Sequence, residues 1–201
     1  MKITYKQTFI MRHREILRTT EKLLIENYDD ITIDELALEL DVAKGTIYKH
    51  FKNKNQLYLE LLIQNEKKLL KLAIKNKGNF KKYISKFMIY SLLNANRTIL
   101  FHIIEEKLTN TETGLKDLFH ELYKIRNKRL IKINKDIERY IKSNNIPMTS
   151  TEYLPFIWTT TYGAALLLNS SHYQKYIRSR DILINSCIYQ VLNIVPNKRQ
   201  F

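Results

Sequence analysis

Residues 31–58 read ITIDELALELDVAKGTIYKHFKNKNQLY and leave the chain few ways to fold locally. Thr32 and Glu35 have the T-x-x-E spacing of a capping box, so a helix starts at Ile33. Ile33, Leu36, Ala37 and Leu40 fall on one face of that helix. Asp41 stands at the turn, where a left-handed backbone is often needed and Asp tolerates it. Val42 is expected to plug the core. A second short helix runs from about Ala43 to His50, anchored by Ile47 and Phe51, and turns Lys44, Thr46, Tyr48, Lys49 and His50 outward. Asn53 and Gln56 then form an N-x-x-Q cap pair for a further helix. From Val42 to Tyr58 there are four lysines and no acid. Two short helices across a tight turn, with basic and aromatic side chains on the second, suit the major groove of DNA.

The rest of the chain reads as more helix. With 4 Gly and 3 Pro in 201 residues and little β-branched alternation, the expected class is all-α, with about nine helices. Helix 1 is expected from about Tyr5 to Glu26, with Ile16, Leu17, Thr20, Leu23 and Leu24 inward and Asn27 as a left-handed cap. Lys2, Lys6, Arg12 and Arg14 crowd its start, where they oppose the helix dipole; a nearby phosphate backbone would compensate. Helix 4 continues to about Lys75. The run Asn76-Lys77-Gly78-Asn79 is the clearest break. Helical patterns follow at about 80–94, 97–109, 115–143, 151–171 and 179–194. Loops are expected at 111–114 and 144–147. The expected division is a helix-turn-helix domain over 1–58 and a larger helical body over 59–201, connected by helix 4 (about 54–75).

Charge must be read by region. The formal net charge is +14, yet residues 1–58 hold ten Lys and Arg against nine Asp and Glu. The excess therefore lies in residues 59–201. Richness in Lys together with Asn is also what A/T-rich coding produces. The single cysteine, Cys187, excludes an intrachain disulfide and any Cys-x-x-Cys metal spacing, and fits a reducing compartment. The N-terminus lacks the continuous apolar core of a signal peptide. The charge-free run Tyr153–Gln174 is interrupted by Pro155, three threonines, Asn169 and two serines. It reads as a buried helix rather than a membrane span. A cytoplasmic protein is expected.

Residues Arg14 to Leu62 resemble the N-terminal domain of the TetR family of bacterial transcription regulators. The resemblance rests on Ile16-Leu17, Thr32-Ile33, Leu36-Ala37, the run from Val42 to Phe51, and Asn53-Lys54 with Leu57. It covers about a quarter of the chain. Two positions depart from the family pattern. Asp41 replaces the usual turn glycine, and Ala43 replaces a serine that would cap the helix and contact phosphate. The resemblance implies that the second short helix enters the major groove. Thr32, Lys44, Gly45, Thr46, Tyr48, Lys49, His50 and Lys54 are then the DNA-binding candidates. Phosphate contacts set register, and base-edge contacts specify sequence.

A single helix of this size reads too few bases, so a homodimer on two half-sites is expected. Its interface candidates are Trp158, Tyr162, Gly163, Ala164, Leu166, Leu167, Ile184, Cys187, Ile188 and Val191, on the last two helices. The resemblance also implies a small-molecule effector, apolar or anionic, bound by the middle helices. Tyr83, Phe87, Tyr90, Phe101, His102, Phe119 and Tyr123 are the pocket candidates. Lys67, Lys68, Lys71, Arg126, Lys128 and Arg129 permit an anionic ligand such as a fatty acid or its thioester. The expected function is a sequence-specific DNA-binding repressor released from its operator by such a ligand. Two other readings are a ligand-independent architectural DNA-binding protein and a helical carrier of lipids or other apolar ligands. No Ser/His/Asp set, phosphate loop, metal cluster or paired carboxylates point to an enzyme, and no cofactor is expected.

Overall fold

The computed structural model of the chain describes residues 5–27, 30–111, 114–176 and 179–194. Ten helices follow one another: α1 (Tyr5–Asn27), α2 (Ile33–Glu39), α3 (Lys44–Tyr48), α4 (Lys54–Lys75) and α5 (Phe80–Leu93), then α6 (Ala95–Thr111), α7 (Lys116–Ser143), α8 (Ser150–Asn169), α9 (Ser171–Gln174) and α10 (Arg180–Leu192). No described residue lies in a strand, and the fold is all-α. The helix beyond the expected nine is α9, a single turn whose cap Ser170 accepts from the Tyr173 amide. Lys2 and residues 112–113 of the expected 111–114 loop lie outside the described residues.

The helix ends follow local chemistry. At α2, the Thr32 hydroxyl accepts from the Glu35 amide at 3.1 Å, and the Glu35 carboxylate accepts from the Thr32 amide at 2.7 Å. At α4, Asn53 accepts from the Gln56 amide at 2.8 Å. The Gln56 side chain accepts from Lys52 rather than from Asn53, one residue earlier than expected. Two helices close with a left-handed residue that is not glycine: Asp41 (φ 51°) after α2 and Asn145 (φ 50°) after α7. After each, an amide reaches back five residues, Val42 to the Ala37 carbonyl and Ile146 to the Ile141 carbonyl. This closure satisfies carbonyls that a helix end otherwise leaves open. Asn27 differs from expectation, because it is the last residue of α1 and keeps helical geometry.

The chain forms two compact units, residues 1–65 with 100–122, and residues 66–99 with 123–201. The first has its core in Ile16, Leu17 and Leu24 of α1, Leu36 and Ala37 of α2, Ile47 of α3, Phe51, and Leu57 and Leu59 of α4. Val42, expected as a core plug, is only half-buried. Its part in the turn is the amide bond to Ala37.

In the second unit α5, α8 and α10 pack on one another, with Ile133, Ile137 and Tyr140 of α7 in the same core. Two tyrosines finish α10. Tyr140 donates to the Leu192 carbonyl and Tyr153 to the Val191 carbonyl, both at 2.6 Å. Burial raises both phenols above their ordinary range, so they stay protonated donors. The charge-free run lies on α8, which buries Tyr153, Ile157, Thr161, Ala164, Ala165 and Leu168. Among the described residues, no helix is long and apolar enough to cross a membrane.

One polar cluster sits inside this second unit. Glu66 of α4 and Arg129 of α7 are 4% and 5% exposed and form an ion pair. Arg129 also donates to the Tyr83 hydroxyl at 3.3 Å, and Arg126 approaches Glu66 at 3.4 Å. Burial opposes the Arg129 charge, but Tyr83 and Glu66 outweigh it and hold the guanidinium protonated. Asp136, also buried, accepts from the Gly78 amide at 2.7 Å and ties the left-handed Gly78 turn to α7.

Candidate nucleic-acid interface

The outer side of α3 is built by what its inner side buries. Ile47 is 1% exposed and Phe51 2%, so the helix has one possible rotation in the unit. That rotation leaves Lys44, Gly45, Tyr48 and Lys49 exposed and Thr46 half-exposed. Tyr48 is 51% exposed, a large aromatic side chain held in water by a rigid turn. Thr32 is exposed at the start of α2. The N-cap of α3 is Ala43, which makes no side-chain hydrogen bond. The amides of the first turn of α3 thus lack the protein acceptor that a serine would supply.

Gly45 is informative because nothing in the chain requires it. A Cβ built there meets no atom within 4 Å, and its backbone is ordinary helix. Glycine costs a helix about 1 kcal/mol relative to alanine. The physical use of a bare backbone at an outward position is close approach by something outside the chain.

Three candidates sit differently from the sequence expectation. Lys54 points inward: its ammonium donates to Asp30 at 2.7 Å and to the Ile31 carbonyl at 3.2 Å. The Tyr58 hydroxyl donates to the same carboxylate at 2.5 Å. Burial pushes the Asp30 carboxyl up, but Lys54 and Tyr58 more than offset it and the group ends below its ordinary value. Lys54 is therefore corrected from a DNA contact to a tie between the α2 entry and α4. His50 is also corrected, to packing. Its ring stacks on Phe9 at 4.0 Å between centroids, and its Nδ1 is buried without a partner. Burial, then the neighbouring His13 and Arg12, lower its pKa, so it offers phosphate no charge near neutral pH. Lys44 remains outward but is paired with Asp34. Both are more than half exposed, and such pairs are worth at most about 1 kcal/mol, so phosphate can displace the carboxylate.

Sequence reading missed the groove beside His50. Tyr5, Thr8, Phe9, Arg12, Lys49 and His50 line a shallow opening of about 430 Å³. Of these, Arg12 joins Lys49 as a second cation at the end of α3. Its place at the crowded start of α1 was the one signal available.

The other candidates are spread over the body. Tyr83 and Phe87 are buried, Tyr90 is half-buried, and Tyr123 is exposed, all in the second unit. In the first, Phe101 is buried, Phe119 half-buried and His102 exposed. His102 and Tyr123 are therefore not enclosed by their own units. Arg129 is spent on Glu66, which removes it from the cations that would meet an anionic ligand. Among the interface candidates, Ala164, Ile184 and Val191 are corrected to intrachain core, at 4%, 4% and 0% exposure. Trp158, Cys187 and Ile188 are half-buried against that core. Tyr162, Gly163, Leu166 and Leu167 of α8 face outward.

Comparison with known proteins bears on this geometry. Residues 16–61 match the sequence profile of the bacterial regulatory proteins, tetR family. The chain is 29% identical over 127 residues to the HTH-type transcriptional regulator QacR of Staphylococcus aureus, spanning 55% of this chain and 68% of that protein. It is 28% identical over 163 residues to the uncharacterised HTH-type transcriptional regulator YhgD of Bacillus subtilis, spanning 78% and 83%. The fold is similar to the crystal structure of the transcriptional regulator FadR from Bacillus subtilis in complex with stearoyl-CoA. That match has a TM-score of 0.65 at 18% identity and covers 91% of this chain and 99% of that one. The matched residues 16–61 contain the capped α2, the Asp41 turn and the outward α3, and on these the chain belongs to the TetR family of bacterial transcription regulators.

Proposed function

We propose that the chain is a homodimeric repressor that reads two operator half-sites with α3 and is released by a small molecule bound in its helical body. The observation that carries the DNA reading is the outer side of α3: Tyr48 and Lys49 in water, with Gly45 open beside them. Tyr48 and Lys49 contact phosphate or base edge, Gly45 admits the backbone, and Thr46 meets a thymine methyl or a phosphate. Residues 1–58 serve as the reading head and 59–201 as the sensing and dimerising body, with α4 connecting them.

Support for the dimer comes from α8 and α10. Leu166 is 57% exposed, Ile182 60% and Tyr189 68%, a cost in water that a second copy would remove. A Cβ at Gly163 meets no atom within 4 Å, so a neighbouring helix can approach there. The ligand reading is supported by the similar fold of FadR, which holds stearoyl-CoA. Release requires only that the ligand favour the conformation that fits DNA poorly.

The test is a gel-shift on the DNA upstream of the protein's own gene, with and without stearoyl-CoA, and a sedimentation measurement of mass. Sequence-preferring retardation by a dimer supports the reading. A monomer, or equal affinity for unrelated duplexes, overturns it and leaves an architectural protein or a carrier. If no acyl thioester weakens the complex, the acyl class of ligand is excluded.

Gly45→Ala is expected to separate fold from function. The melting temperature should hold or rise slightly, because alanine favours the helix and fills open space. Operator affinity should fall at least several-fold. Unchanged binding would show that no backbone approaches this position.

A further inference from the structure

We infer that the outer face of α7 is a second nucleic-acid contact, one that holds the phosphate backbone of duplex DNA without reading its sequence. The two compact units differ sharply in charge. Residues 1–65 with 100–122 carry 12 Lys and Arg against 15 Asp and Glu, a net of −3. Residues 66–99 with 123–201 carry 22 against 5, a net of +17. The basic character of this chain therefore belongs to the unit without the helix-turn-helix.

Within that unit the charge is organised along α7. Lys124, Lys128, Lys132, Lys135, Arg139 and Lys142 are all exposed. At 3.6 residues per turn they fall within an arc of about 80°, opposite the buried Ile125, Arg129, Ile133, Ile137 and Tyr140. The stripe is about 27 Å long at 1.5 Å per residue. Of the two acids between 124 and 142, Asp136 is buried and pairs with Arg139. Glu138 lies at the margin and accepts from Asn134 at 2.7 Å. Among the described residues, none of the five lysine ammonium groups has a hydrogen-bond or ion-pair partner.

An ordinary solvated helix interleaves its signs, as α1 does with Arg12–Glu15 and Lys22–Glu26. A line of like charges without counterions in the protein is unfavourable until an anion of matching length covers it. Small anions are too short for 27 Å. A membrane surface calls for apolar anchors on the same face, and only Ile131 stands beside the stripe. Single strands call for aromatic platforms, and the stripe has none. Evenly spaced lysines with no aromatic or amide groups among them match the repeating charge of a duplex backbone. The inference goes beyond operator reading by α3 and does not depend on it.

The experiment is fluorescence anisotropy of full-length protein on a random, non-operator duplex across a salt series. The comparison is wild type against the quadruple variant Lys124→Gln, Lys128→Gln, Lys132→Gln and Lys135→Gln. All four side chains are exposed, so the variant should melt as wild type does. Loss of up to four phosphate contacts should lower the slope of log affinity against log salt by about 3 to 4. At about 50 mM salt that is a loss of at least ten-fold, while preference for operator over random duplex is kept. The variant Tyr48→Ala with Lys49→Ala, which disables α3, should retain the steep slope on random duplex. Equal slopes for wild type and the quadruple variant would overturn the inference. So would loss of random-duplex binding in the α3 variant alone. A quadruple variant that loses only binding to phosphatidylserine vesicles would assign the stripe to membranes and overturn it too. Absence of operator preference in wild type, with the slope still falling in the quadruple variant, would overturn the α3 reading and leave this one standing.

Discussion

Tyr48→Ala combined with Lys49→Ala should abolish operator retardation in a gel-shift while leaving the protein folded. Each side chain, in contact with phosphate or base, is worth about 1 to 3 kcal/mol. A dimer presents each twice, so the double variant loses at least about 4 kcal/mol, or on the order of a thousand-fold in affinity. The fold should not notice. Tyr48 is half exposed, Lys49 is exposed, and neither belongs to the core formed by Ile47 and Phe51. Changes at such positions move stability by about 0.5 kcal/mol or less. A melting temperature within a few degrees of wild type would show that recognition alone was removed. Equal binding by variant and wild type would remove α3 from the interface.

The second large effect is on stability. Arg129→Ala should destabilise the body by about 3 to 5 kcal/mol, because it leaves the Glu66 carboxylate in a nearly dry site with only Arg126 at its edge. Tyr83 loses its donor in the same change. Thermal melting should show a drop of several degrees. The double variant Glu66→Leu with Arg129→Met should recover most of it, since a well-packed apolar pair of similar size often matches or exceeds a buried ion pair. A single variant that melts as wild type would mean that water reaches the pair and that its burial contributes little. The pair joins α4 to α7 in the sensing body. If the double variant folds and binds operator but no longer responds to ligand, the pair has a role in signalling rather than in stability.

Local order was legible in this chain, and the reason is range. Thr32 with Glu35, and Asn53 with Gln56, are three residues apart, and a cap needs nothing further away. The left-handed Asp41 could be anticipated because a turn of that length between two short helices demands it. The outward set of α3 followed from placing Ile47 and Phe51 inward. The pairings that decide which side chains remain available could not be read in this way. Lys54 meets Asp30 across 24 residues, and Arg129 meets Glu66 across 63. In the sequence each lysine or arginine of this basic chain is an equal candidate for an anion. In the fold, Lys54 and Arg129 are already committed, whereas the α7 lysines are not.

The body shows the same limit for apolar residues. α8 and α10 are apolar on most sides, so spacing does not say which side meets the chain and which would meet a partner. Packing with α5 decides it, sending Ala164, Ile184 and Val191 inward and leaving Leu166, Ile182 and Tyr189 in water.

By itself, then, the sequence determined an all-helical chain, the bounds of its helices, and a short helix prepared to meet DNA, because caps, turns and periodicity act over a few residues. The tertiary structure alone decided which cations are spent inside the protein and which are lined up along α7. Charge pairing depends on distances in space that no spacing along the chain encodes.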